Sequence, residues 1–272
     1  EGAAALARGL LSLEALDAAP EGQWAGAGQA VFGRVRQARL ADCCESFTAH
    51  ARISSHLPSV ERLALWERNG KMSTELADAT WLTYLVLNGG IGFHALQPRA
   101  WAALFTMPRL RHLALDVMPA ELPQLARLPA ALEVLSVNAA YGLDEEGGVV
   151  WYPVDTRDFH DVCRVLEAAG RLPRLRTLLI RASGMEVHHG ALARLLTWPG
   201  TLEELDVELH GGDSRLHDAA LLGALPGLRR LHFWGPFGRE DDYERLVAQY
   251  ASTGLQITSN DGGTDVFDNL FE

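Results

Sequence analysis

One spacing recurs down this chain: an apolar residue, two variable residues, a second apolar residue, one variable residue, and a third apolar residue. It reads Val60, Leu63, Leu65; Leu82, Leu85, Leu87; Leu110, Leu113, Leu115; Leu132, Leu135, Val137; Leu175, Leu178, Ile180; Leu202, Leu205, Val207; and Leu228, Leu231, Phe233. A weaker copy stands at Val35, Ala38, Leu40, and Leu255 with Ile257 forms a closing fragment. The second and third apolar positions are two apart, so they share one face of a short strand. The copies start at 35, 60, 82, 110, 132, 175, 202 and 228, giving intervals of 25, 22, 28, 22, 43, 27 and 26 residues. A unit this small buries little apolar surface alone, so such units must stack on one another.

A second signal precedes the strands. An apolar residue followed by proline recurs as Leu57-Pro58, Met107-Pro108, Leu128-Pro129, Leu172-Pro173, Trp198-Pro199 and Leu225-Pro226. Proline disfavours the helical region for the residue before it, so each pair marks where an outer helix ends. The segments between read as helices: Gly190 to Trp198 carries Leu192, Leu195 and Leu196, and Tyr243, Leu246, Val247 and Tyr250 keep the same period, with Gly254 as a cap beyond them. Strand, turn, helix and turn in repetition predict an α/β solenoid, with a curved parallel sheet lining a concave face and helices on the convex one.

These motifs resemble the leucine-rich-repeat family over about residues 35 to 258, most closely its ribonuclease-inhibitor-like or bacterial helical members. The resemblance implies a leucine-rich-repeat solenoid that binds a protein partner. The family usually places asparagine or cysteine three residues after the last motif leucine. Here those positions hold Cys43, Arg68, Gly90, Met118, Ala140, Ser183, His210 and Pro236, so there is no asparagine ladder.

The boundaries expected are an N-terminal helical cap at 1–30, the solenoid at 31–258 with an insertion at about 139–158, and an acidic tail or cap at 259–272. The first segment reads as an amphipathic helix with Leu6, Leu10, Leu13 and Leu16 near one face. The insertion fills the 43-residue interval, running from Ala139 to Asp158 through Asp144, Glu145, Glu146 and two glycines to Trp151 and Tyr152. Two readings fit it: a flap that touches a partner, or a short hairpin that covers the adjacent repeat. The tail carries Val266, Phe267, Leu270 and Phe271, which suit a cap over the last repeat.

Composition bounds the functions. A net charge of -11 argues against unspecific nucleic-acid binding. No apolar run is long enough for a membrane span. Three cysteines make no disulfide framework, so a cytoplasmic location is expected. Nor does any motif call for a metal or cofactor. His188-His189 are adjacent and diverge, and His160 with Cys163 has no companion pair. Asp261, Asp265 and Asp268 lack the spacing of a calcium loop.

The positions flanking the inward leucines form three outward columns: Arg62, Tyr84, His112, Val134, Thr177, Glu204, Arg230; Ala64, Val86, Ala114, Ser136, Leu179, Asp206, His232; and Trp66, Asn88, Asp116, Asn138, Arg181, Glu208, Trp234. From these the expected partner-binding residues are Trp66, Tyr84, Asn88, His112, Asp116, Asn138, Arg181, Asp206, Glu208, His232 and Trp234, with Trp151 and Tyr152 from the insertion. The bland alternative is that neighbours on parallel strands simply pair with one another. The function expected is a non-enzymatic protein-binding or scaffold module, monomeric or in complex with its partner. A chain starting at Glu1 without methionine also suits the recognition domain of a larger sensor or effector enzyme. An enzyme built on His112, Asp116 and Asn138 is the remaining reading.

Overall fold

Because inward and outward side chains alternate along a strand, the spacing fixes which residues form the core. A computed structural model describes residues 15–18, 33–41, 53–66, 76, 78–88, 96, 98–117, 121–139, 142–143, 149–150, 162–185, 201–209, 220, 222–234 and 240–260. In chain order the elements are β1 (Ala15–Ala18), β2 (Gln37–Ala41), α1 (Ile53–His56), β3 (Arg62–Trp66), β4 (Tyr84–Asn88), α2 (Pro98–Phe105), β5 (His112–Val117), α3 (Leu122–Leu125), β6 (Val134–Ala139), β7 (Gly142–Leu143), β8 (Val149–Val150), α4 (Val162–Ala169), β9 (Thr177–Met185), β10 (Glu204–Leu209), β11 (Arg230–Trp234), α5 (Glu240–Tyr250) and β12 (Gln256–Asn260).

The chain divides into two units. The first comprises Glu1–Met118, Arg127–Leu132 and Ala140–Tyr152; the second comprises Pro119–Ala126, Glu133–Ala139 and Pro153–Glu272. In the first, β1 to β5 pair in parallel in chain order. In the second, β6, β9, β10, β11 and β12 do the same. Parallel strands stacked in chain order, with β3 to β6 and β9 to β11 each opening on the same motif, form a leucine-rich-repeat solenoid. The register aligns motif on motif: Leu63 with Leu85 and Leu113, and Leu135 with Leu178, Leu205, Leu231 and Ile257.

Every described second- and third-position motif residue from Leu63 to Phe233 is buried. At the first position Val60, Leu82, Leu110, Leu132, Leu175 and Leu202 are buried too, while Leu228 is half-exposed. The proline pairs act through turns. The carbonyls of Leu57, Met107, Leu172 and Leu225 accept from the amides of Val60, Leu110, Leu175 and Leu228, three residues on, at 3.2 to 3.3 Å. Proline at the second turn position presets that geometry, and the turn delivers the first motif residue to the core. At Leu128-Pro129 the turn starts one residue later, with Leu132 bonding Pro129. Trp198-Pro199 and the helix expected at 190–198 lie outside the described residues.

The helices pack on the inward side of the strands. On α2, Trp101 and Leu104 are buried, and Trp101 stacks on Phe105 at 6.0 Å. On α5, Leu246 and Tyr250 are buried, Tyr243 meets the ring of Phe233 edge-on, and its hydroxyl donates to the carbonyl of Ile257. Val247 was expected on that inward stripe but is 37% exposed. The Tyr250 hydroxyl reaches back to the Ala220 carbonyl. Its ring uses the space above Gly223, where a Cβ would lie 2.9 Å from the tyrosine Cζ. Beyond α5 the chain turns into β12 through Gly254, whose φ of 78° is left-handed, as the cap reading requires.

Two expectations are corrected. The 1–30 segment, read as a helical cap, holds a strand: Ala15–Ala18 pairs with Gln37–Leu40, because the open edge of β2 offers backbone partners that an isolated helix does not. The position three beyond Ile180, Ser183, is not in a loop but within the nine-residue β9, whose register against β10 shifts between Val207 and Leu209. The structure also places a hairpin in the insertion, with Gly142 opposite Val150 and Leu143 opposite Val149. The tail from 261 lies outside the described residues.

Leu85→Ala and Leu178→Ala, each fully buried, should lower unfolding free energy by about 2–5 kcal/mol in urea titrations. Val247→Ala should change it by under about 0.5 kcal/mol. Equal effects at all three would contradict this inward and outward assignment.

Candidate functional site

The outward face of each unit is set by the same register, so its side chains form rows that cross the strands. In the first unit, Arg62, Tyr84 and His112 are register partners on β3, β4 and β5. The Arg62 guanidinium lies 4.7 Å from the Tyr84 ring centroid. From the β5 side His112 stacks on Tyr84, with centroids 5.5 Å apart and planes 25° apart. A cation over one ring and an imidazole stacked on it contribute about 0.5–2 kcal/mol each. Tyr84 is only 6% exposed, so it is a fixed centre of this row and not a projecting anchor. Burial pushes its hydroxyl up to about 12, against the lowering influence of the Arg62 charge.

The middle column of this unit is closed. Ala64, Val86 and Ala114 are register partners and all are buried. Asp116 is buried as well. His112 and Asp116 lie four residues apart on one strand, about 13 Å along it at the usual rise, too far for the hydrogen bond a catalytic pair needs. The structure therefore does not bring His112 and Asp116, two members of the His112, Asp116 and Asn138 reading, into one hydrogen-bonded pair. Trp66 and Asn88 are backbone partners at the ends of β3 and β4; their side chains, and the whole of Trp151 and Tyr152, lie outside the described residues.

In the second unit the outward face opens progressively. Ser136 and Leu179 are buried, Asp206 and His232 are half-buried, and Thr258 is exposed. These five are successive register partners. His232 Nδ1 lies 2.7 Å from the Thr258 hydroxyl. One column over, Arg230 forms an ion pair with Glu204. At the strand starts Arg176 meets Glu203 at 3.9 Å, and in the first unit Arg36 pairs with Glu61. Lateral pairing of neighbours, the bland reading, therefore holds at these positions. Such exposed pairs contribute only about 0–1 kcal/mol each, so they orient side chains more than they stabilise.

Of the remaining expected residues, Asn138 is half-buried and pairs in register with Arg181, and Glu208 pairs with Trp234. The register shift after Val207 removes the expected alignment of Glu208 with Arg181. The side chains of Arg181, Glu208 and Trp234 lie outside the described residues. Arg62, Glu204, Arg230 and Thr258 join these rows in the structure without being among the expected binding residues, although three of them stand in the outward columns. Their pairing could have been read by comparing each outward residue with its counterpart one repeat on. Among the described residues no group of three or more His, Cys, Asp or Glu side chains is placed to hold a metal, and no helix is long and apolar enough to cross a membrane.

No protein-family model matches the chain, and no curated protein does. Among solved structures the chain is similar to an internalin (inlF) from Listeria monocytogenes str. 4b F2365, at 14% identity and a TM-score of 0.40, over 86% of this chain and 71% of that one. The fold assignment rests on the strands, their register and the buried motif.

Because its folded pKa of about 12 lies above the ordinary 10, Tyr84 contributes stability that is complete below pH 10 and lost as pH rises toward 12. Tyr84→Phe should remove the highest-pH component of the tyrosinate absorbance titration and flatten the fall of the urea midpoint over that range. An unchanged titration would contradict the buried row.

Proposed function

We propose that the chain is a non-enzymatic binding module that takes a protein partner on the outward sheet face of the second unit, centred on β10 to β12. The observation that carries this reading is the polar row of the second unit. Glu204 and Arg230 in one row, and Asp206, His232 and Thr258 in the next, lie across three parallel strands, partly open to solvent, with Arg230 paired to Glu204 and His232 to Thr258. Donors and acceptors already ordered in the free protein cost less to immobilise on binding, which is how a rigid face gains affinity. The burial of the middle column in the first unit, Ala64, Val86 and Ala114, favours the last strands as the accessible part. The absence of an asparagine ladder does not weaken the reading, because the face is built by the strands and not by the loops.

The test compares the full chain with a Glu204→Ala, Arg230→Ala, His232→Ala variant, both immobilised and exposed to native lysate. Retained proteins are quantified by mass spectrometry and the leading one is remeasured with purified components. A specific protein retained by the parent, and by Val247→Ala, should be reduced at least tenfold by the triple variant, whose unfolding midpoint stays close to the parent's. Equal retention by all three overturns the assignment of the face.

A further inference from the structure

Register decides which charges meet across the strands, and one row of the first unit contains no acid. Arg36, Arg176 and Arg230 each meet a glutamate one repeat away, at Glu61, Glu203 and Glu204. Arg62 stands differently. Its register partners are Gln37 on β2 and Tyr84 on β4, and His112 follows on β5. Its Nη1 lies 3.4 Å from Gln37 Oε1, and its guanidinium lies 4.7 Å from the Tyr84 ring centroid. Both of these neighbours are neutral, so neither cancels its charge.

The rest of this face carries the same sign. Among the described outward side chains of β2 to β5, those open to solvent are Gln37, Arg39, Arg62 and His112, and the one acid, Asp116, is buried. Arg39 has Asp17 of β1 as its register partner, so Arg62 is the better anchor. In a chain of net charge -11 this is a local reversal of sign. A guanidinium pinned between Gln37 and a buried ring presents a planar fork of donors with part of its freedom already lost, and a carboxylate is the group that fork fits. His112 stands two strands further on, about 10 Å away at the usual strand spacing, and offers a second polar contact beyond the Tyr84 ring. Repulsion from the acidic remainder of the chain discourages an anionic segment from settling elsewhere.

We propose that the Arg62 row of the first unit is a docking site for an acidic segment of a protein partner, with Arg62 taking a carboxylate and His112 a second acceptor from the same segment. The buried Ala64, Val86 and Ala114 beside the row supply a flat floor and no binding energy of their own. The inference goes beyond the reading of the second unit's face and stands whether or not that face binds a partner.

The test measures the fluorescence anisotropy of a fluorescein-labelled peptide of eight glutamates titrated with the full chain at low salt. Saturable binding is expected, and it should weaken as salt is raised. Arg62→Ala should weaken it at least about fivefold. Arg99→Ala removes the same charge from the exposed surface of α2, on the other side of the sheet, and should change it by less than about twofold. If Arg62→Ala lowers the urea midpoint, Arg62→Gln keeps a polar side chain in the row and should give the same loss of binding. Absence of saturable binding overturns the proposal. So does a loss below fivefold in whichever Arg62 variant folds, or one matched by Arg99→Ala. An octanucleotide of uridylate that binds more tightly than the peptide, and is lost with Arg62, overturns it as well, since the row would then read a phosphate backbone and not a protein.

Discussion

The structure depends on one backbone interaction repeated at the starts of β3, β4, β5, β9, β10 and β11. Two successive amides, the last before the strand and the first within it, donate to a single carbonyl of the preceding repeat. Glu61 and Arg62 share the Arg36 carbonyl, Thr83 and Tyr84 that of Glu61, and Arg111 and His112 that of Thr83. In the second unit Arg176 and Thr177 share Glu133, Glu203 and Glu204 share Arg176, and Arg229 and Arg230 share Glu203. A carbonyl has two lone pairs, so one acceptor can satisfy two donors that would otherwise be orphaned where turn becomes strand. Each bond is worth about 0.5–1.5 kcal/mol net, and each also fixes register. A slip by one residue would break the clasp and turn every inward leucine outward.

Everything on the outward face follows from that register. It brings Arg62, Tyr84 and His112 into one row, and Asp206, His232 and Thr258 into another. None of these residues is close to its partner in sequence, and none of the pairings needs a loop of special shape. This also explains why repeats without an asparagine ladder remain stacked. Proline-initiated turns before the strands and clasps at their starts hold them. Charge alternation at the clasp positions, as in Glu133, Arg176, Glu203 and Arg229, adds side-chain pairing along the same line.

The fold was legible because its determinants are local and periodic. Apolar spacing selects the inward residues, and proline selects the turns. Legibility fell where the determinant was tertiary. Leu16 sits in a helical pattern, but the edge of β2 recruits it into a strand. Val247 keeps the helical period of α5, yet that helix is rotated so that Leu246 and Tyr250 face inward. Tyr84 looked like an exposed anchor because strand alternation gives direction but not depth. The columns on the outward face were readable from the repeat register up to the shift after Val207, which separates Glu208 from Arg181, whereas the depth of burial along them was not. Depth depends on the side chains of neighbouring strands, which the pattern of a single repeat does not encode.

Residue-resolved hydrogen exchange tests the central claim most directly. The clasped amides of Tyr84, His112, Thr177, Glu204 and Arg230 should be protected to within about tenfold of mid-strand amides such as Leu85 and Leu205, since both open only when repeats unstack. Exchange of the clasped amides at the rate of an unstructured peptide, with the mid-strand amides still protected, would show that register is held by other means and would contradict the account.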